Sequence, residues 1–292
     1  MINPSPLRYP GGKFKIAPLV KKIISKAQIE HCVYIEPFAG GAGIALSLLL
    51  SNYVDEIVIN DYDRAISSFW KAILNETNRF VDSIANVPLN IEEWSRQREI
   101  YFNSTRYSFE YGFSTFYLNR TNHSGILSSG PIGGRLQDNP DWTLDVRFNR
   151  QNLISRINNI AEKKAQIHCY NKDVLSFIDS YLPYYAQNGF IYFDPPYYNK
   201  GKKLYKNFFE PQDHRNIAQH IFGNVTSHWI VSYDDVPEIE NIYENYTSRK
   251  FSLSYSLANN GRGTEIMIFS DANLCPTLEE LAEANIDISM WE

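Results

Sequence analysis

Four consecutive residues, Asp194-Pro195-Pro196-Tyr197, place a carboxylate, outward-facing carbonyls and an aromatic ring in one corner of the chain. Proline fixes its own backbone direction and has no N–H to donate, so the corner is rich in acceptors. The apolar run Phe190-Ile191-Tyr192-Phe193 before it reads as a buried strand, which would deliver the corner at a strand end. Such a corner suits an exocyclic aromatic amine, whose nitrogen is a poor nucleophile because its lone pair is delocalised into the ring. Accepting one N–H at the Asp194 carboxylate and the other at the Pro195 carbonyl favours a pyramidal nitrogen with its lone pair free to attack. Tyr197 would stack on the heterocycle, a contact worth about 1–3 kcal/mol. The alternative reading is a rigid turn after a strand, with no chemistry attached.

A second constellation supplies a partner for that amine. The strand pattern Cys32 to Ile35 runs into Glu36-Pro37-Phe38-Ala39-Gly40-Gly41-Ala42-Gly43 and then a helix, Gly43 to Leu50. Glycines there let a backbone turn tightly and approach a ligand closely. A second strand, Glu56 to Asn60, ends at Asp61, placed to accept from ribose hydroxyls. The pattern departs from the dinucleotide fingerprint, because Leu46 occupies the third glycine position and the Glu36 carboxylate precedes the loop. That anion is unfavourable beside a pyrophosphate but suits the ammonium and sulfonium charges of S-adenosylmethionine. Asp173, at a third strand end, either caps a helix over Val174 to Tyr181 or meets the cofactor's adenine ring.

The elements that position these residues form an α/β pattern, with short apolar strands alternating with helices at both ends of the chain. Gln166 to Tyr170 and Trp229 to Ser232 are further strands, and Ser252 to Leu257 with Glu265 to Phe269 flank an Asn259-Asn260-Gly261 turn as an antiparallel hairpin. From Ala65 to Lys164 the texture changes to aromatic-rich helices followed by a loop-like region, Asn119 to Asn149, dense in Gly, Pro, Asn, Asp and Arg. Phe116, Tyr117, Trp142 and Phe148 within it favour an ordered insertion. The 292 residues are 43% hydrophobic and carry a net charge of -5, so nucleic-acid affinity has to come from local basic patches. Arg120, Arg135, Arg147 and Arg150 form one such group, and Lys200, Lys202, Lys203 and Lys206 another, although a solvated surface explains either alone. Cys32, Cys169 and Cys275 lack the spacing of a disulfide framework or a metal site, and no metal is expected. No apolar run suits a membrane span, and Met1-Ile2-Asn3-Pro4 lacks a secretory signal pattern, so a cytoplasmic location is expected.

Taken together, these segments resemble the Dam-type family of DNA adenine-N6 methyltransferases, the D12 class. Pro6-Leu7-Arg8-Tyr9-Pro10-Gly11-Gly12-Lys13 looks like its opening motif, Glu36 to Gly43 like its cofactor motif, and Asp194 to Tyr197 like its catalytic tetrapeptide. Asn60-Asp61 and Asp173 sit where its later cofactor acids sit. The resemblance implies a Rossmann-like methyltransferase fold, with an S-adenosyl-L-methionine-binding catalytic domain over 1–64 and 165–292. Residues 65–164 would be an inserted, mainly helical target-recognition domain. It further implies direct methyl transfer to N6 of an adenine rotated out of double-stranded DNA. Tyr9, Lys13, Pro37, Phe38, Gly40 and Gly41 would join Glu36, Asp61, Asp173 and Asp194 around the cofactor. Arg8, Asn119, Arg120, Asn122 and Arg135 would face DNA, with Arg120, Asn122, His123 and Arg135 as base readers and Lys200, Lys202 and Lys203 on the displaced strand's backbone. Arg262 and Glu265 resemble positions near the flipped base, and an exposed ion pair explains them equally well. A monomer is expected, with a cognate restriction endonuclease as a further partner the family allows.

Three other readings remain open, one of them a catalytically silent DNA-binding protein, against which the intact acceptor residues count. The acceptor geometry also suits cytosine-N4 or RNA adenine methylation, although those enzymes more often carry Ser or Asn at the position of Asp194. The strand, glycine loop and acid also permit a nicotinamide-dependent oxidoreductase, which leaves the tetrapeptide unexplained.

Overall fold

Apolar runs that stop at polar or turn residues become the strands of one sheet. The structure, a computed structural model, describes residues 3–8, 13–199, 209–254 and 262–287. Strands β1 (Val33–Glu36), β2 (Glu56–Asn60), β3 (Ile167–Tyr170), β4 (Gly189–Phe193) and β5 (His228–Asp234) run parallel. The antiparallel pair β6 (Thr247–Ser254) and β7 (Arg262–Phe269) completes a seven-stranded sheet in the order β3-β2-β1-β4-β5-β7-β6. This is the α/β architecture expected from the sequence, with a mostly parallel sheet and a C-terminal antiparallel hairpin. Strand order reverses between β1 and β4, and in such sheets the crevice beyond the carboxyl ends at that point receives the ligand.

Side chains alternate across a strand, so each face collects its own set. Tyr34, Phe190, Tyr192, Ile230 and Met267 share a continuous apolar core with α1 (Ala17–Ala27) and α2 (Gly43–Leu50). Helix α2 is apolar all round, Gly-Ile-Ala-Leu-Ser-Leu-Leu-Leu, which only a buried helix tolerates. The same core continues into α3 (Arg64–Asn75), α4 (Thr77–Asn86), α5 (Ile91–Asn103), α6 (Phe109–Thr121) and α7 (Arg150–Glu162). There Phe69, Phe80, Phe113 and Phe116 pack ring against ring, with centroids 5.3–6.1 Å apart. Gly112 lets α6 lie against α3, because a Cβ at that position would stand 2.5 Å from the Ser68 carbonyl oxygen. On the other face Ile35, Ile191, Phe193, Val231 and Tyr233 pack with α8 (Val174–Ser180), α9 (Pro211–Asn224) and α10 (Pro237–Ile242). Among the described residues no helix is long and apolar enough to cross a membrane.

Several boundaries differ from the sequence reading, two of them for a clear physical reason. Helix α6 runs on to Thr121, so Asn119, Arg120 and Thr121 are helical rather than part of the loop that was expected to begin at Asn119. Its last turns are held by side chains that donate to helical carbonyls, Thr121 Oγ1 to the Tyr117 carbonyl at 2.8 Å. Strand β6 begins at Thr247, five residues before the expected start. It lies at the sheet edge, where Arg249 and Lys250 interrupt the apolar signal and also discourage edge pairing. The Asn259-Asn260-Gly261 turn lies outside the described residues.

Candidate active site

Strand β1 ends in Glu36, which is 5% exposed, and its Oε1 accepts the Ala45 N–H from the first turn of α2 at 3.1 Å. The intervening loop turns through left-handed backbone at Gly40 (φ 47°) and at Ala42 (φ 46°). For Ala42 that conformation costs roughly 1–2 kcal/mol, the kind of strain that collects at ligand sites. Three side chains fix the loop. Trp70 Nε1 donates to the Gly40 carbonyl at 3.0 Å, and Asp61 accepts the N–H groups of Gly40 and Asp63, each at 2.8 Å. Asn60, 1% exposed, donates to the carbonyls of Pro37 and Lys172 and accepts the Lys172 N–H, so one amide ties the ends of β1, β2 and β3 together.

These strand ends enclose a cavity of about 540 Å³ whose wall carries Lys13, Glu36, Phe38, Asp61, Asp173 and Asp194, with Pro37 and Gly41 beside them. Gly40 contributes through its backbone contact to Asp61, and Tyr9 lies outside the described residues. Asp173 both faces the cavity and caps α8, accepting the N–H groups of Leu175 and Ser176. Burial pushes the Glu36 carboxyl up to about 8 against the opposing Ala45 N–H, and pushes Asp61 up to about 7, with Asp63 adding to the rise. The acidic side chains of this wall, once ionised, would suit a cation. They match the ammonium and sulfonium charges and the ribose hydroxyls of S-adenosylmethionine, while a pyrophosphate at the start of α2 would face Glu36.

The tetrapeptide leaves β4 beside β5, and Asp194 joins a buried network that the sequence did not reveal. Lys13, in the 3-10 turn Lys13–Ile16, is 6% exposed and hydrogen-bonds Tyr197 Oη and Glu265 Oε2, and its Nζ lies 3.4 Å from Asp194 Oδ1. Tyr197 Oη donates to Glu265 Oε1 at 2.6 Å. Glu265 is 0% exposed, so it is an internal anchor for Lys13 and Tyr197 and not an exposed ion pair. Burial alone would lower Lys13, but Asp194 and Glu265 outweigh it and hold the ammonium above the usual lysine range. Burial likewise holds Asp194 above the ordinary carboxylate value, opposed by Lys13 and by the Ser232 hydroxyl. Asp234, at the end of β5, accepts the N–H groups of Tyr198 and Asn199 at 2.8 and 3.0 Å and pins the chain just after the corner.

The residues expected to face DNA divide into two groups. Asn119 accepts the Arg8 N–H and donates to the carbonyls of Arg8 and Gly125, and Asn122 accepts Trp94 Nε1 and donates to the carbonyls of Ile126 and Leu127. Both amide N–H pairs are thus engaged inside the protein, holding the N-terminal segment and the loop after α6. Gly125 (φ +75°) passes so close to Arg8 that a Cβ would meet its carbonyl oxygen at 2.4 Å. Arg150 also turns inward, to the carbonyls of Ile84 and Val87. Arg135 and His123 are exposed, Arg135 lying over the Trp94 ring. Arg120 is half-buried, with an Nε that has no hydrogen-bond partner. Burial, then the charges of Arg8, Arg156 and Arg147, push it down to about 9. Lys200, Lys202, Lys203 and Lys206 lie outside the described residues, and the Arg262 side chain is not described.

The sequence model of the D12 class N6 adenine-specific DNA methyltransferases matches residues 9–256, which take in the glycine loop, its following acid and the tetrapeptide. The chain belongs to this family. It is a DNA methyltransferase, and use of S-adenosylmethionine follows from that membership. Among curated proteins it is similar to the type II methyltransferase M.MjaIII of Methanocaldococcus jannaschii, 25% identical over 206 residues that cover 65% of this chain and 68% of the relative. Among solved structures it aligns with the rRNA methyltransferase aviRa of Streptomyces viridochromogenes at 12% identity and a TM-score of 0.42, covering 93% of this chain and 88% of that one. It also aligns with the methyltransferase domain of bacterial CtHen1 at 9% identity and a TM-score of 0.39, covering 87% and 97%. At those scores nothing further rests on the structural likeness.

Proposed function

We propose that this D12-class enzyme methylates N6 of an adenine rotated out of double-stranded DNA, with Asp194 and the Pro195 carbonyl as acceptors for the amine. The observation that carries the reading is that Asp194 opens into the same cavity as Glu36 and Asp61, so an amine held at the corner adjoins the cofactor pocket. Bound there, S-adenosylmethionine supplies a methyl group on a sulfonium that leaves as a neutral thioether. Asp194 would accept the proton that the amine nitrogen gives up once it carries the methyl group. Tyr197 lines the corner with its hydroxyl anchored at Glu265, and Lys13 holds Asp194 and Glu265 in place. Incubation with DNA and methyl-labelled cofactor, followed by digestion to nucleosides, should place the label in N6-methyladenine. Label in N4-methylcytosine, or label with RNA alone, would overturn the reading.

Residues 65–164 we assign to target recognition and DNA docking, as a proposal resting on the family and on one cluster. Arg120 lies among Arg8, Arg147 and Arg156, and no described carboxylate pairs with any of them. Guanidiniums gathered without an acid suit the backbone phosphates of DNA. Replacing Arg120 by Ala should weaken DNA binding about equally across sequences and flatten the salt dependence of log K by roughly one unit. An unchanged salt slope would remove Arg120 from the interface. A cytoplasmic monomer beside a cognate restriction endonuclease is the setting we propose, supported by the type II name of the archaeal relative.

A further inference from the structure

The polar groups behind Asp194 form a chain that the amine-acceptor reading leaves unused. Ser232, on β5 and 0% exposed, has its Oγ 2.8 Å from Asp194 Oδ1 and 2.7 Å from the hydroxyl of Tyr192, which is 2% exposed. A serine hydroxyl has one proton, and an ionised carboxylate only accepts. With Asp194 ionised, Ser232 therefore donates to Oδ1, and Tyr192 is the donor to Ser232. The direction of both hydrogen bonds is fixed by proton count. Lys13 Nζ approaches the same Oδ1 from the opposite element, at 3.4 Å. Oδ1 is thus held by two donors, whereas no described residue donates to Oδ2. The charged or ionisable groups around the carboxylate are Lys13, Glu36 and, beyond Lys13, Glu265, with Tyr34, Tyr192, Tyr197, Tyr233 and Ser232 as the neutral titratable or hydroxyl neighbours.

We propose that Ser232, backed by Tyr192, is a positioning residue for methyl transfer: it fixes the rotation of the Asp194 carboxylate so that Oδ2 faces the incoming amine. The proposal rests on the assignment of Asp194 as an amine acceptor. A carboxylate without the Ser232 bond turns more freely about its terminal torsion, which is broad and roughly two-fold. It also loses a hydrogen bond that favours its charged form, so it takes up a proton at higher pH.

The test compares wild type with Ser232→Ala, Ser232→Thr and Tyr192→Phe in single-turnover methyl transfer across pH, with cofactor affinity measured in parallel. Loss of a hydrogen bond to a charged group predicts a fall of about tenfold or more in the transfer rate of Ser232→Ala, with KM for DNA and cofactor affinity within about twofold. The acid limb of the rate profile should move up by roughly one pH unit, because activity needs the ionised form and the variant protonates earlier. Ser232→Thr, which keeps the hydroxyl, should restore both the rate and the limb, and Tyr192→Phe should fall between them. A Ser232→Ala enzyme that keeps the wild-type limb, whatever its rate, overturns the proposal. So does a Ser232→Thr enzyme that binds cofactor normally but fails to recover the limb. Failure of the underlying assignment looks different: an Asp194→Ala enzyme would then keep its activity while all Ser232 variants behaved as wild type.

Discussion

Replacing Asp194 by Ala should lower methyl transfer by at least about a thousandfold while leaving S-adenosylmethionine affinity within a few fold. The carboxylate is the one charged acceptor at the corner, and the carbonyl of Pro195 cannot substitute for it, since each amine N–H needs its own acceptor. Cofactor binding should survive because the hydrogen bonds that hold Glu36, Asp61 and the Asn60-tied loops do not involve Asp194. The fold should survive as well. Removing one partner of a buried ion pair is severe when it strands a charge, but Lys13 keeps Glu265 and Tyr197. Asn at this position should be no better than Ala. Its single carbonyl would take the Ser232 proton, turning an NH2 group toward the substrate amine and setting donor against donor. Rapid-quench transfer assays beside calorimetric cofactor binding read both quantities. An Asp194→Ala rate within tenfold of wild type would remove Asp194 from the chemistry.

Cofactor affinity should rise by up to about tenfold per pH unit between pH 7 and 8, more steeply below pH 7, and level off above pH 8, with close to one proton released per cofactor bound near pH 7. The cause is Glu36, which burial pushes up to about 8, so that near neutrality the free enzyme holds it mostly protonated. A cationic ligand binds the ionised form, so the proton has to leave first, and this penalty grows as pH falls. Asp61, pushed up to about 7, steepens the dependence further below that value. The cofactor-free fold has the opposite sign. A carboxyl raised from 4.5 to about 8 contributes stability that is complete below the unfolded value and is lost as pH rises through the folded one. Glu36→Gln should remove the slope between pH 7 and 8 and weaken binding at pH 8 by about a hundredfold. Calorimetry in buffers of differing ionisation enthalpy measures both affinity and proton release, and flat affinity from pH 6 to 8 would refute the role given to Glu36.

Much of this site was legible because parallel strands buried on both faces read as plain apolar runs. The polar residue that ends each run, Glu36, Asp61 or Asp194, then falls at the carboxyl edge of the sheet. What could not be read were hydrogen bonds between residues far apart in sequence. Trp70 and Asn60 reach the glycine loop across 30 and 23 positions, and Ser232 reaches Asp194 across 38. Nothing in a tryptophan on an amphipathic helix or a serine inside an apolar strand marks it as a site residue. The asparagines at 119 and 122 illustrate the converse. Their residue type suits adenine recognition, but an amide matches a peptide group equally well, and here both serve the backbone. Burial separated Lys13 and Glu265 from ordinary surface charges, and burial depends on the whole fold.

The reversal of β7 has a consequence for the order of residues along the chain. In β4 the apolar residues come first and the acid last, Phe190 to Phe193 and then Asp194, whereas β7 runs the opposite way and reads Glu265 and then Ile266 to Phe269. Glu265 stands opposite Asp234 across the antiparallel ladder, so both directions of travel deliver a carboxylate to one edge. The two strands are palindromic about the catalytic crevice, and a search confined to residues that follow apolar runs passes over the acid that precedes one.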